Sequence, residues 1–137
     1  IDTRPLLCAA LEAGKTLAVP LCMGPGMMQA RAVRSLEELA PAGPYGIPEP
    51  PAGAPEVPPQ RLALCVLPCL AAAPDGTRLG YGGGYYDRFF AGRTGSACAL
   101  VGLCYDFQTV GQVPAAPWDV RMTHVCTETR FSATEQD

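Results

Sequence analysis

Arg78-Leu79-Gly80-Tyr81-Gly82-Gly83-Gly84-Tyr85-Tyr86-Asp87-Arg88 follows a strand-like apolar run over residues 62–68 and a polar turn at Pro74, Asp75 and Gly76. Four glycines within five positions free the backbone for positive φ and bring successive N–H groups close to a ligand. A short helix over residues 85–91 can begin directly after them, a setting that suits a phosphate. Arg78 and Arg88 flank the loop as candidate phosphate partners, and Asp87, in the first helical turn, is a candidate magnesium ligand.

The commoner phosphate motifs do not fit. A dinucleotide fingerprint starting at Gly80 needs its third glycine where Tyr85 stands, and a Walker A loop needs a Gly-Lys-Ser/Thr that is absent. Read from the residues alone, the stretch is either an anion-binding loop or a tight strand-to-helix turn that serves packing only.

Outward from the loop, helix and strand signals alternate. Thr3 or Asp2 can cap a helix with Pro5 in its first turn, an apolar stripe of Leu6, Leu7, Ala10 and Leu11, and Gly14 as its stop. Residues 16–21 and 28–33 read as strands, and Ser35 with Glu37 and Glu38 as the capped start of a short helix. Residues 41–59 form a proline-rich excursion without helical period, expected to run over the surface. Strands are expected again at residues 62–67, 97–104 and 125–127. Apolar strands separated by helices predict an α/β fold with a parallel sheet covered on both faces, whose ligands bind at the C-terminal strand ends, where the glycine loop falls.

Composition narrows the class. The 137 residues, 48% of them hydrophobic, suit one compact domain over residues 1–131 with a polar, frayed tail at 132–137. Seven cysteines without C-x-x-C spacing, several in apolar runs, predict reduced, mostly buried thiols. The single histidine, His124, cannot assemble a zinc site and is given no role. A net charge of −3 with dispersed basic residues argues against a nucleic-acid surface. No apolar run reaches the roughly 20 residues needed to span a bilayer, so a cytoplasmic protein with no membrane partner is expected.

The loop and its surroundings resemble the signature of the 5-formyltetrahydrofolate cyclo-ligase (5,10-methenyltetrahydrofolate synthetase) family. The resemblance takes in Ile1-Asp2-Thr3, the strand after Lys15, Gly46-Ile47-Pro48-Glu49-Pro50, Leu67-Pro68, Tyr105-Asp106-Phe107-Gln108, and the stretch from Trp118-Asp119 to Cys126-Thr127-Glu128, in family order. It implies a three-layer α/β fold, a mostly parallel sheet with helices on both faces. The implied activity is ATP-dependent closure of 5-formyltetrahydrofolate to 5,10-methenyltetrahydrofolate by a monomer. Such phosphoryl transfer needs positioning and charge neutralisation more than a protein nucleophile, so no catalytic side chain is assigned.

By match to the family motif, Arg78, Leu79, Gly80, Tyr81, Gly82, Gly83, Gly84, Tyr85 and Tyr86 would form the ATP loop. Residues 81–85 would also line the folate. Asp87 and Asp119 would hold magnesium, Tyr45 would stack on the pterin, and Met28 would contact the folate. Taken singly, Asp87 reads as a charge complementing a helix start, Asp119 as a turn residue, Tyr45 as packing over a proline-rich loop, and Tyr85 and Tyr86 as anchors of the short helix.

The chain also departs from the family pattern. The family carries a segment ahead of the position matching Ile1, with a basic helix that reaches the ATP phosphates and a folate-binding glutamate, so the expectation is a chain lacking that segment. Leu21 stands where the family has a basic residue, Cys69 where it has glycine, Ala72-Ala73 where it has Phe-Asp, and Thr123 where it has a further aspartate. The alternative reading is accordingly an inactive nucleotide- or folate-binding relative or fragment.

Overall fold

The computed structural model describes residues 1–41, 46–91 and 97–135. The chain divides into two compact units, Ile1–Arg61 and Leu62–Asp137.

The first unit opens with α1 (Arg4–Glu12), which carries Pro5 in its first turn. Asp2 rather than Thr3 satisfies the helix start. Its Oδ1 accepts the Arg4 backbone N–H at 3.0 Å and its carboxylate grips the Arg4 guanidinium, which holds its carboxyl down at about 2. At the other end Gly14 takes φ 75°, its N–H reaches Leu11 O, and the Lys15 N–H reaches Ala10 O, each at 3.0 Å. That is a Schellman motif, and glycine admits the left-handed turn it requires.

β1 (Leu17–Gly24) and β2 (Met27–Val33) then pair antiparallel, Leu17 opposite Val33. Only two residues, Pro25 and Gly26, connect them, whereas a parallel pair needs a crossover of about a dozen residues. Pro20 is tolerated inside β1 because β1 is a sheet edge. Leu7 and Leu11 of α1, four residues apart on one face, pack on Leu17, Val19 and Val33 of this hairpin. Ser35 caps a one-turn 3₁₀ helix (Leu36–Glu38) through the capping box expected of it.

The proline-rich excursion contributes short strands. β3 (Ala40–Pro41) pairs β4 (Pro48–Glu49), and β5 (Glu56–Val57) adds to β2. Arg31 reaches out of β2 to Ala52 O and Ala54 O, both at 2.8 Å, and pins this segment down.

The second unit holds the parallel part of the fold. β6 (Leu64–Pro68) leads to the small antiparallel pair β7 (Ala71–Ala72) and β8 (Arg78–Leu79), then to α2 (Tyr85–Phe89) and β9 (Ala99–Leu103). β10 (His124–Cys126) and β11 (Phe131–Ala133) follow, giving a sheet ordered β11-β10-β9-β6. β6, β9 and β10 run parallel, and β11 returns antiparallel on β10. Among the described residues, parallel strand pairing joins these three strands, with one isolated parallel bridge between Ala72 and Thr109, and the expectation of a single mostly parallel sheet narrows to this unit. Residues 132 and 133 are not frayed tail but strand, and the Thr134 hydroxyl donates to Met122 O at 2.8 Å.

Leu67, Leu100, Met122 and Cys104 are the largest fully buried side chains here. Gly102, in the central strand β9, leaves the space that the Met122 sulfur fills. All seven cysteines are free thiols, with Cys69, Cys98 and Cys104 buried and Cys8 exposed. Cys69 and Cys104 continue the β6–β9 register side by side, and burial pushes the Cys69 thiol up to about 12 and the Cys104 thiol upward. Among the described residues no helix is long and apolar enough to cross a membrane.

Two outcomes follow from this packing. Gly102→Ala is expected to lose ~1–3 kcal/mol and Met122→Ala ~2–5 kcal/mol in urea unfolding, with the double variant losing less than their sum because the two share one space; additive losses would refute that. Iodoacetamide at about pH 8 should modify Cys8 while Cys69 and Cys104 react only after unfolding, since the thiolate is the nucleophile; peptide mass mapping reads this, and early modification of Cys69 would contradict its burial.

Candidate functional site

The polar turn at residues 74–76 is the tip that joins β7 to β8. Asp75 Oδ1 accepts both the Thr77 hydroxyl (2.6 Å) and the Thr77 N–H (3.0 Å), and these bonds hold its carboxyl below the ordinary range. The Leu70 N–H donates to Leu79 O at 2.7 Å, so the turn delivers Arg78 and Leu79 back beside the end of β6.

Arg78 turns inward. Its side chain is 8% exposed, Nη1 donates to Pro68 O at 3.2 Å, Nη2 lies 3.6 Å from Asp87 Oδ1, and the guanidinium sits 5.5 Å over the Tyr86 ring. Its Nε is buried without an acceptor among the described residues. The guanidinium thus joins the end of β6 to α2, and Tyr86 packs from α2 onto the core. Burial pushes the Tyr86 phenol up to about 12, which keeps it neutral.

Between these anchors the glycine loop crosses over. Gly82 and Gly84 take φ of 89° and 69°, the left-handed region that side chains resist. A Cβ at Gly83 would lie 2.7 Å from the Tyr85 ring, and one at Gly84 3.0 Å from Arg88 Nη1. The left-handed φ therefore favours glycine at 82 and 84, and at 83 a side chain would have to displace the Tyr85 ring. Tyr81 stands outward, 75% exposed, at the crest of the loop.

The two aspartates meet through one peptide. Asp87 Oδ1 accepts the Val120 N–H at 3.0 Å, and the residue before Val120 is Asp119. Asp119 closes its own turn, Oδ2 accepting the Ala116 N–H at 2.8 Å and its N–H donating to Ala116 O at 3.0 Å. Each carboxylate thus commits one oxygen to these bonds. Among the described residues no group of three His, Cys, Asp or Glu is gathered as for a metal.

Arg88, a candidate phosphate partner in the sequence, donates from Nη1 to Gly83 O at 2.7 Å. Gln108 had no assigned role, yet its Nε2 donates to Cys69 O and Leu70 O, each at 3.2 Å, and braces the strand end below the loop. Its only sequence signal was its place in the Tyr105-Asp106-Phe107-Gln108 corner. At the positions that depart from the family, Ala72 and Ala73 are interior, and the Thr123 hydroxyl accepts the Leu100 N–H at 2.9 Å. Met28 lies half-buried in β2 of the first unit, and Tyr45 falls outside the described residues.

Residues 1–128 match the family model of the 5-formyltetrahydrofolate cyclo-ligase family. The 5-formyltetrahydrofolate cyclo-ligase of Escherichia coli K12 is 30% identical over 133 residues, 95% of this chain and 72% of that protein. The enzyme of the same name from Mycolicibacterium smegmatis is 35% identical over 92 residues, 65% of this chain and 46% of that protein. Among solved structures, the 5,10-methenyltetrahydrofolate synthetase of Aquifex aeolicus superposes with a TM-score of 0.79 at 30% identity, over 97% of this chain and 65% of that one. The synthetase of Mycoplasma pneumoniae, at 19% identity and a TM-score of 0.67 over 91% of this chain and 63% of that one, shares the fold. The matched parts thus span from about half to about three-quarters of these relatives' lengths. With the model matched from Ile1 through Glu128, the chain belongs to the 5-formyltetrahydrofolate cyclo-ligase family.

Proposed function

We propose that this protein catalyses the ATP-dependent conversion of 5-formyltetrahydrofolate to 5,10-methenyltetrahydrofolate, releasing ADP and phosphate. The observation that carries this reading is the glycine loop, with its left-handed Gly82 and Gly84, held between a buried arginine and two aspartates that meet at Val120, in a chain of this family. The formyl oxygen attacks the γ-phosphorus and ADP departs. N10 then adds to the activated carbon and gives up its proton to solvent, and the C–O bond breaks as phosphate leaves with the former formyl oxygen. No protein nucleophile is needed, because the work is alignment and neutralisation of charge.

In this reading residues 78–86 cradle the ATP phosphates. Tyr81 and Tyr85 are the folate contacts that the family motif implies in this unit, and the roles of Met28 and Tyr45 toward the folate rest on the motif match alone. Asp87 and Asp119 suit magnesium as hard oxygen donors, each keeping an oxygen outside the bonds to Val120 and Ala116. Two carboxylates completed by phosphate and water are an ordinary magnesium set, and when bound the ion would offset charge on the phosphate oxygens. The second reading, binding without turnover, draws on Leu21 and Thr123, where the family's charged residues are replaced.

Mg-ATP and 5-formyltetrahydrofolate supplied to the protein should yield 5,10-methenyltetrahydrofolate, followed by its absorbance, with one ADP per turnover. Tight binding of both substrates without product would favour the second reading.

Asp87→Asn keeps an oxygen for the Val120 N–H but loses the negative charge. It is expected to cut turnover about 100-fold and to raise the magnesium needed for half-maximal rate, while costing ~1–3 kcal/mol in unfolding through the lost attraction to Arg78. An unchanged magnesium dependence would leave Asp87 a purely structural partner of Arg78 and Val120.

A further inference from the structure

We propose that Arg88 is a positioning residue of the glycine loop, turning the Gly83–Gly84 peptide so that its N–H faces the nucleotide alongside that of Tyr85, rather than itself ligating phosphate. The inference rests on the reading of this loop as the ATP site.

Two consecutive loop carbonyls face α2, one held by the Arg88 side chain and the next by the first main-chain bond of the helix. Arg88 Nη1 donates to Gly83 O at 2.7 Å, and the Arg88 backbone N–H donates to Gly84 O at 3.0 Å. The described residues contain no cis peptide, so the N–H of each peptide points opposite to its C=O. With the Gly83 and Gly84 carbonyls drawn toward α2, the N–H groups of Gly84 and Tyr85 point away from it. Two successive N–H groups aimed the same way are what an anion-binding loop presents.

The guanidinium also occupies the space beside Gly84, its Nη1 at 3.0 Å and Cζ at 3.3 Å from where a Cβ would stand. Gly84 is left-handed, and a flip of the Gly83–Gly84 peptide would break the bond from the guanidinium to Gly83 O. A carbonyl turned toward phosphate would repel it, so fixing this orientation before the nucleotide arrives removes a reorganisation cost from binding. A cation spent on a carbonyl at 2.7 Å differs in role from one held free for phosphate.

The test compares wild type with Arg88→Met, which keeps the apolar stem but donates no hydrogen bond, and Arg88→Lys, which restores a donor. Measurements are Mg-ATP titration at several salt concentrations, thermal melting, and the amide resonances of glycine-labelled protein without nucleotide. Arg88→Met is expected to weaken Mg-ATP binding about tenfold and Arg88→Lys to recover to within about threefold, in line with loss of one charge-assisted hydrogen bond. The Gly84 resonance should move in Arg88→Met before nucleotide is added, and the salt dependence of binding should match wild type.

A shallower salt dependence in Arg88→Met would mean a direct phosphate contact and would overturn the proposal. So would an unmoved Gly84 resonance, or wild-type affinity in Arg88→Met. If Arg88→Met melts without cooperativity, Arg88→Lys decides: an unmoved Gly84 resonance with wild-type salt dependence is expected, and any other result overturns the proposal. Failure of wild type itself to bind Mg-ATP would remove the ATP reading and this inference together, whereas wild-type binding with an indifferent Arg88→Met removes the inference alone.

Discussion

The buried guanidinium of Arg78 is the tie on which the loop region depends. It bonds the carbonyl that ends β6, faces Asp87 on α2, and lies over the Tyr86 ring. Asp87 passes the connection on to Val120, so one cation links the strand end, the short helix and the segment beside Asp119. Burying such a charge is costly, and its Nε remains without an acceptor among the described residues. The carboxylate, the carbonyl and the aromatic face offset that cost only together, since each alone falls short of what hydration supplied. Arginine suits this role better than lysine, whose single ammonium cannot address three partners spread over one plane.

Because the tie is made from below, the loop above it is free of structural duty on its outer side. α2 spans five residues, too few to hold its shape by its own hydrogen bonds. Tyr86 and Phe89 root it in the core, and Arg78 holds Asp87 in its first turn. The glycines then need only satisfy local geometry. Two take left-handed φ, and a third lies against the Tyr85 ring.

Much of this was legible in the sequence where the signals are local. Pro5 and Gly14 bracket a helix because one lacks an N–H that the first turn does not use and the other accepts a left-handed turn. Ser35 and Glu38 announce a capping box, and apolar runs announce β6 and β9. The direction of β1 and β2 was legible too, in the Pro25-Gly26 turn, yet the general α/β pattern pointed to parallel pairing. What sequence could not carry is contact across long separations. The bond from Val120 to Asp87 spans 33 residues and that from Gln108 to Cys69 spans 39. Nothing in either neighbourhood encodes its partner. β11 escaped notice because its residues are exposed and only its pairing with β10 makes them a strand.

The charged residues of the loop show why residue type underdetermines role. Arg78 and Arg88 stand symmetrically about the glycines, and both look like phosphate ligands. Their contacts in the structure differ: the Arg78 side chain is buried, whereas Arg88 is exposed. Arg78 is drawn under the loop by a carboxylate, a carbonyl and a ring. Arg88 folds back along α2 to the Gly83 carbonyl, five residues before it in the chain. On the proposed reading of this loop as the ATP site, its hold on phosphate would come chiefly from backbone N–H groups held in one orientation. Such groups carry partial charge at fixed positions and need no side-chain ordering when charge develops, so the two arginines would serve by making the backbone rigid rather than by adding their own charge.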